Sequence, residues 1–204
     1  MDVVNPRGGW IEVITGGMFS GKSEELIRRI RRAEIARQRA QIFKPAIDNR
    51  FDLKRVISRD NRGIDAVVVN NAADLRSNLL FGVKVVGIDE VQFFDEGIID
   101  VCMELADASV RVIAAGLDQD YLRRPFGPMP GLLAVAEYVS KMHAVCVRCG
   151  GPAHYTQRVA GGNSQIEIGD GTYEARCRVC YVPYEASESS ADSAGESLDA
   201  AITR

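Results

Sequence analysis

Gly16-Gly17-Met18-Phe19-Ser20-Gly21-Lys22-Ser23 decides the reading of this chain. The octapeptide meets the spacing G-x-x-x-x-G-K-[ST], the pattern of a loop that cradles nucleotide phosphates. Its flanks agree. Trp10 to Ile14 reads as a short, mostly apolar strand closing on Thr15, and from Glu24 onward Leu26, Ile27, Ile30 and Ala33 mark one face of a helix. Strand, loop and helix are the context the spacing requires. Gly16 and Gly21 let the backbone bend so that N–H groups and the positive end of the helix dipole face an anion. Gly16, Gly17, Met18, Phe19, Ser20, Gly21, Lys22 and Ser23 are therefore expected to hold a nucleoside triphosphate. In that arrangement Lys22 meets the terminal phosphates and Ser23 a magnesium ion.

Working outward, strands alternate with helices. Arg39 to Lys44 reads as a strand stopped by Pro45, Ala66 to Val69 as a short buried strand, and Asn71 as the cap of a helix running to Leu80. The segment Ala46 to Gly63 is polar and aperiodic and is read as a long loop. Val83 to Ile88 is an apolar run of the kind buried in parallel sheets. A helix over Glu96 to Ala108, a strand over Val110 to Ala115, a turn-rich stretch from Gly116 to Gly131, a short helix to Glu137 and a last strand over Val139 to Val145 complete the series. Such alternation predicts an α/β fold, a parallel sheet flanked by helices, with its ligand crevice beyond the carboxyl ends of the strands. The five arginines Arg28, Arg29, Arg31, Arg32 and Arg37 read as a solvated helix face with local ion pairs.

Asp89 and Glu90 close the apolar run at that same edge. An acid there can hold magnesium, and a second can orient or deprotonate an attacking hydroxyl. Two C-x-x-C pairs, Cys146/Cys149 and Cys177/Cys180, have the ligand number and spacing of a structural zinc ribbon, and the 27 residues between them suggest a loop or hairpin hung from the metal. The fifth cysteine, Cys102, lies in a helical pattern and reads as core; His143 and His154 belong to no paired motif.

The 204 residues, 46% hydrophobic, suffice for one well-buried core and a small appendage. Net charge is −3, of which residues 185–204 carry −4, so the remainder is not basic enough for bulk nucleic-acid binding. No apolar run approaches the roughly 18 residues of a membrane span, and the polar start lacks a signal-peptide core. The reading is a cytoplasmic protein with no membrane or nucleic-acid partner. It is expected to comprise an N-terminal extension (1–8), a phosphate-loop nucleotide-binding unit (9–143), a zinc-ribbon unit (144–184) and a disordered acidic tail (185–204).

With these residues in view, the sequence resembles the cellular, zinc-containing (type II) thymidine kinases, and their bacterial members above all. Five blocks carry the resemblance in order: Gly16 to Ser23, Phe43-Lys-Pro-Ala-Ile-Asp48, Asp89-Glu-Val-Gln-Phe-Phe94, Gly116 to Phe126, and the cysteine pairs with Tyr173 between them. Gly17 stands where relatives often have proline, and Arg59 where many have histidine before Asp60. The resemblance implies a RecA-like sheet, and a ribbon whose loop closes over the base as a lasso. It implies transfer of the γ-phosphoryl of ATP to thymidine, with magnesium, structural zinc, feedback by dTTP and a homotetramer. By it Glu90 is the general base and Asp89 and Gln92 join the nucleotide–magnesium site. Met18, Phe93, Leu117, Tyr121, Phe126, Ile166, Ile168, Gly169 and Tyr173 surround the nucleoside. An alternative reading is a helicase-type ATPase, since Asp89-Glu-Val-Gln92 also matches a D-E-x-x box.

Overall fold

The computed structural model describes residues 8–47, 55–57, 63–160 and 170–183. Ile166, Ile168, Gly169, Asp48, Arg59, Asp60 and the acidic tail lie outside these residues. Six strands form one wholly parallel sheet: β1 (Trp10–Thr15), β2 (Ala40–Pro45), β5 (Val67–Val69), β6 (Val85–Ile88), β7 (Arg111–Gly116) and β8 (Tyr138–Lys141). Their spatial order is β5-β2-β6-β7-β1-β8, so β1 sits between the two strands of the sheet that come last in the chain.

The strand alternation explains how the helices cover both faces. Ile11 and Val13 of β1, Phe43 of β2, Val86 and Ile88 of β6, and Val112 and Ala114 of β7 share one buried cluster with α2 (Ala72–Ser77), α3 (Gly97–Asp107) and α4 (Met129–Val135). The intervening residues Ile14, Ile42, Val85, Ile113 and Ala115 face the other way, onto Leu26, Ile27, Ile30 and Ala33 of α1 (Lys22–Ile35). Each fully buried aliphatic side chain of this kind contributes about 2 kcal/mol. Cys102 belongs to the first cluster, as its helical spacing predicts, and burial pushes its thiol up to about 12.

Several boundaries differ from the sequence reading. Part of the stretch read as an aperiodic loop is strand: β3 (Arg55–Ile57) pairs antiparallel with β4 (Gly63–Asp65), two three-residue segments too short to show a period. Asn71 does cap α2, its side chain accepting the Asp74 N–H at 2.8 Å, but the helix ends at Ser77, where the Asn78 side chain bonds back to Asp74. The strand read over Val139 to Val145 is two strands. Met142 N donates to Thr15 O at 2.7 Å and ends the β1–β8 ladder, after which β9 (Ala144–Val145) pairs with β10 (Pro152–Ala153) in another sheet. The hairpin expected between the cysteine pairs is β11 (Tyr155–Arg158) against β12 (Tyr173–Arg176). Among the described residues no helix is long and apolar enough to cross a membrane.

One charge was hidden in the apolar reading of β1. Glu12 is 1% exposed and lies on the α1 face, where Arg29 reaches it at 2.7 Å, Arg111 at 2.6 Å and the Trp10 indole N–H at 2.7 Å. Arg29 also bonds Glu25 at 2.8 Å, as Arg28 does at 2.6 Å, so the arginine face combines local pairs with a tie into the core. Burial pushes the Glu12 carboxyl up, but Arg111, Trp10 and Arg29 outweigh it and the group ends below its ordinary value of 4.5. Its stabilisation is therefore complete above that value and is lost as pH falls through the depressed one. Glu12→Gln leaves two guanidinium groups facing a neutral amide and is expected to cost about 3 kcal/mol, read as a shift in the denaturant midpoint. The variant should also lose the share of the wild type's acid-limb destabilisation below pH 4.5 that comes from protonating Glu12.

Candidate functional site

Three loops leave the sheet side by side. β1 ends at Thr15 opposite Gly116 of β7, and Ile88, the end of β6, pairs with Ala114 two residues earlier on β7. The first loop is Gly16 to Ser23. Gly16 (φ 136°) and Gly21 (φ 81°) occupy backbone conformations that a side chain would strain, and a Cβ on Gly16 would fall 2.2 Å from the Met142 carbonyl oxygen. The Gly17 carbonyl accepts both the Ser20 hydroxyl and the Lys22 ammonium at 2.8 Å, which holds the lysine across the loop. α1 begins at Lys22, so its positive end opens into the loop. Phe19 turns away and packs with the ribbon core of Ala144, Cys146, Ala153 and Ala175.

The second loop carries the acids. The Ser23 hydroxyl donates to Asp89 at 3.1 Å to Oδ2 and 3.3 Å to Oδ1, so the residues predicted to share magnesium already face one another. A hydroxyl and a buried carboxylate oxygen at the mouth of a phosphate loop form a hard-oxygen donor set that suits magnesium. Glu90 adopts a left-handed backbone conformation (φ 49°), unusual for a non-glycine residue, at the start of a 3-10 turn over Val91–Phe93. The conformation is held from outside. Gln92, 2% exposed, donates from Nε2 to Glu90 Oε2 at 2.5 Å and accepts the Leu117 N–H on Oε1 at 3.0 Å. The Gln92 carbonyl lies so close to Gly127 (φ 49°) that a Cβ there would be 2.2 Å from it.

The third loop, from Leu117 to Phe126, brings the residues named for the nucleoside. Phe126 and Phe93 meet edge to face at 5.6 Å. Asp120 shapes the turn by accepting the N–H groups of Leu122 and Arg124, both at 2.9 Å. Tyr121 and Tyr173 are joined through Arg158, which lies 3.7 Å over the Tyr121 ring centre and donates to the Tyr173 hydroxyl at 2.7 Å. Met18 is tied to the ribbon, its N–H donating to Thr156 Oγ1 at 3.0 Å. Sequence reasoning missed Thr156 and Arg158. Nothing in β11 announces them except the alternation that puts both on one face of the strand. It also left His143 and His154 apart, whereas their rings meet at 4.3 Å.

The four paired cysteines converge as their spacing predicts. Their sulfurs lie within 4.8 Å of one another, with Cys149 and Cys177 at 3.6 Å, close to the roughly 3.8 Å edge that Zn–S bonds of about 2.3 Å require of a tetrahedron. Against the upward push of burial, backbone N–H groups of Cys177, Cys149 and Arg148 bring the Cys146 thiol down to about 6. The Cys180 N–H, reaching the Cys177 sulfur at 3.4 Å, lowers that thiol as well. Against the Gly151 N–H, the neighbouring sulfurs push the Cys149 thiol up, and they push the Cys180 thiol up to about 12. Four sulfurs crowded at this spacing could hold a zinc ion with no coordination position left open. Elemental analysis of purified protein is expected to find about one zinc per chain, and Cys177→Ser to lose the metal and melt at lower temperature. Metal-free wild type with an unchanged Tm would show that the ribbon folds without an ion.

A family profile described as "Thymidine kinase" matches residues 9–181. The chain is 54% identical over 176 residues to a protein of Porphyromonas gingivalis named thymidine kinase, covering 86% of each chain. It is 53% identical over the same length, again 86% of each chain, to a thymidine kinase of Bdellovibrio bacteriovorus. A thymidine kinase of Rhodothermus sp. is 51% identical over 86% of this chain and 82% of its own.

Proposed function

The chain belongs to the thymidine kinase family, and from that membership we propose that it transfers the γ-phosphoryl group of ATP to the 5′-hydroxyl of thymidine, and of deoxyuridine, in pyrimidine salvage. The observation that carries the reading is the pairing of Ser23 with Asp89 at the mouth of the phosphate loop, with Glu90 one residue further on. An alternative helicase-type ATPase is not favoured, because the matched family and the similar proteins above are named for nucleoside phosphorylation.

The residues divide the chemistry among them. The amides of Gly16 to Ser23 and the start of α1 supply positive potential to the triphosphate. Lys22 exchanges the Gly17 carbonyl for the terminal phosphates. Ser23 and Asp89 are suited to hold magnesium, which would supply positive charge against the triphosphate as charge develops there. Glu90 takes the proton of the 5′-hydroxyl. Gln92 serves this step by aiming Glu90, since both ends of its amide are committed, one to that carboxylate and one to Leu117 N. Met18, Phe93, Leu117, Tyr121, Phe126 and Tyr173 form the walls for the nucleoside, and Ile166, Ile168 and Gly169 present main-chain groups to the base. Residues 9–143 act as the nucleotide-binding unit and 144–184 as the zinc-bearing ribbon. Cytoplasmic location, dTTP as feedback ligand and a homotetramer complete the reading.

A nucleoside panel with ATP and magnesium tests it. ADP release is expected to depend on thymidine and to be indifferent to added DNA; release driven by DNA and not by nucleoside would overturn the proposal. Glu90→Gln should keep both substrate affinities and lower kcat by about 100-fold or more. Lys22→Ala should lose ATP affinity as well as rate. Wild-type turnover in Glu90→Gln would remove the general-base assignment.

A further inference from the structure

Arg158 is 2% exposed, yet it carries a full charge and stands outside the phosphate loop, the acids and the cysteines. Taking a guanidinium out of water is unfavourable unless its contacts compensate for the lost hydration. Two of those contacts are tyrosines from different parts of the molecule. Tyr121 comes from the loop after β7, and Tyr173 begins β12 as the direct cross-strand partner of Arg158. The guanidinium carbon lies 3.7 Å above the Tyr121 ring centre and 5.3 Å from that of Tyr173, whose hydroxyl accepts from the guanidinium at 2.7 Å. Tyr121 is also fixed through its backbone, its carbonyl accepting the Tyr181 hydroxyl at 2.7 Å. On β11, Arg158 shares a face with Thr156, the residue that accepts the Met18 N–H of the phosphate loop.

We propose that Arg158 is a positioning residue for nucleoside recognition, whose guanidinium locks the Tyr121 ring and the Tyr173 hydroxyl in one fixed relation across the junction of the ribbon and the phosphate-loop sheet. The inference rests on the functional reading above, in which these tyrosines face the nucleoside. Its chemistry is particular to arginine. A planar cation can lie flat on one ring while an N–H at its edge donates in the plane to a second group; a lysine ammonium can keep the cation–π contact or the hydrogen bond, not both in this geometry. A wall set in advance costs the ligand no ordering of those side chains when it binds.

The experiment is a steady-state comparison of wild type, Arg158→Met, Arg158→Lys, Tyr173→Phe and the Arg158→Lys/Tyr173→Phe double variant, with ATP and thymidine varied separately. Arg158→Met is expected to raise the thymidine KM by about tenfold or more, the scale of a lost charge-assisted hydrogen bond. The ATP KM, kcat at saturating thymidine and zinc content should stay within about twofold. Arg158→Lys should fall between Met and wild type. The double variant should raise the thymidine KM by less than the product of the single effects, because each single change already breaks the joint hold on the Tyr121 ring and the Tyr173 hydroxyl.

A thymidine KM unchanged in the Arg158 variants would overturn the proposal, as would ATP and thymidine KM rising together or effects that multiply in the double variant. Should Arg158→Met fail to fold, the Arg158→Lys and Tyr173→Phe cycle decides alone. Wild type inactive toward every nucleoside would overturn the functional reading and this proposal with it. An active wild type with an indifferent Arg158 overturns the proposal only.

Discussion

Parallel pairing of β6, β7 and β1 is the constraint on which the candidate site depends. Because the three strands run the same way in adjoining positions, Thr15, Ile88 and Gly116 end within two register steps of one another, about 7 Å of strand rise. The phosphate loop, the Asp89-Glu90 turn and the Leu117 to Phe126 loop therefore emerge at one edge, though they stand far apart in the chain. Covering helices make this pairing possible by burying both faces of the sheet. The sheet in turn fixes where α1 starts, and so where the positive end of its dipole points.

Polar groups inside this frame act as nodes between elements. Glu12 ties β1 to α1 and β7 through two arginines. Gln92 ties the acid turn to the loop after β7, and Thr156 ties the ribbon to the phosphate loop. The left-handed backbone at Glu90 is a conformation that persists when its surroundings over-determine it. Here a bond at each end of the Gln92 amide and the close seat of Gly127 against the Gln92 carbonyl provide that support.

What could be read in the sequence follows from how local each signal is. The glycine-lysine-serine spacing, the apolar run ending in two acids and the cysteine knuckles are each encoded within a few residues, so fold class, sheet strands and the sulfur cluster were all legible. Glu12 was not, because a single acid in an apolar strand has no periodic signature and its partners Arg29 and Arg111 are distant in sequence. Arg158 and Thr156 were hidden for the same reason. Their meaning depends on which loop the β11 face meets, a tertiary fact. The ribbon β3–β4 escaped because three residues are too few to show alternation. A helix end slipped where Asn78 bonds back to Asp74, and a strand end where Met142 closes the β1–β8 ladder onto Thr15.

The position of β1 also sets a timetable for the chain as it leaves the ribosome. It is the first strand of the sheet to be made, but its neighbours β7 and β8 are the last two. Until residues 111–116 have been synthesised, the backbone groups of Trp10 to Thr15 have no native strand to pair with, and their second edge waits for residues 138–141. The contact between Met18 and Thr156 comes later still, spanning 138 positions. Such late, long-range closure slows folding and leaves sticky intermediates exposed. Partial chains that stop before β7 therefore hold the nucleotide motif in full, and can pair β5, β2 and β6, but lack the strand that joins β1 to them.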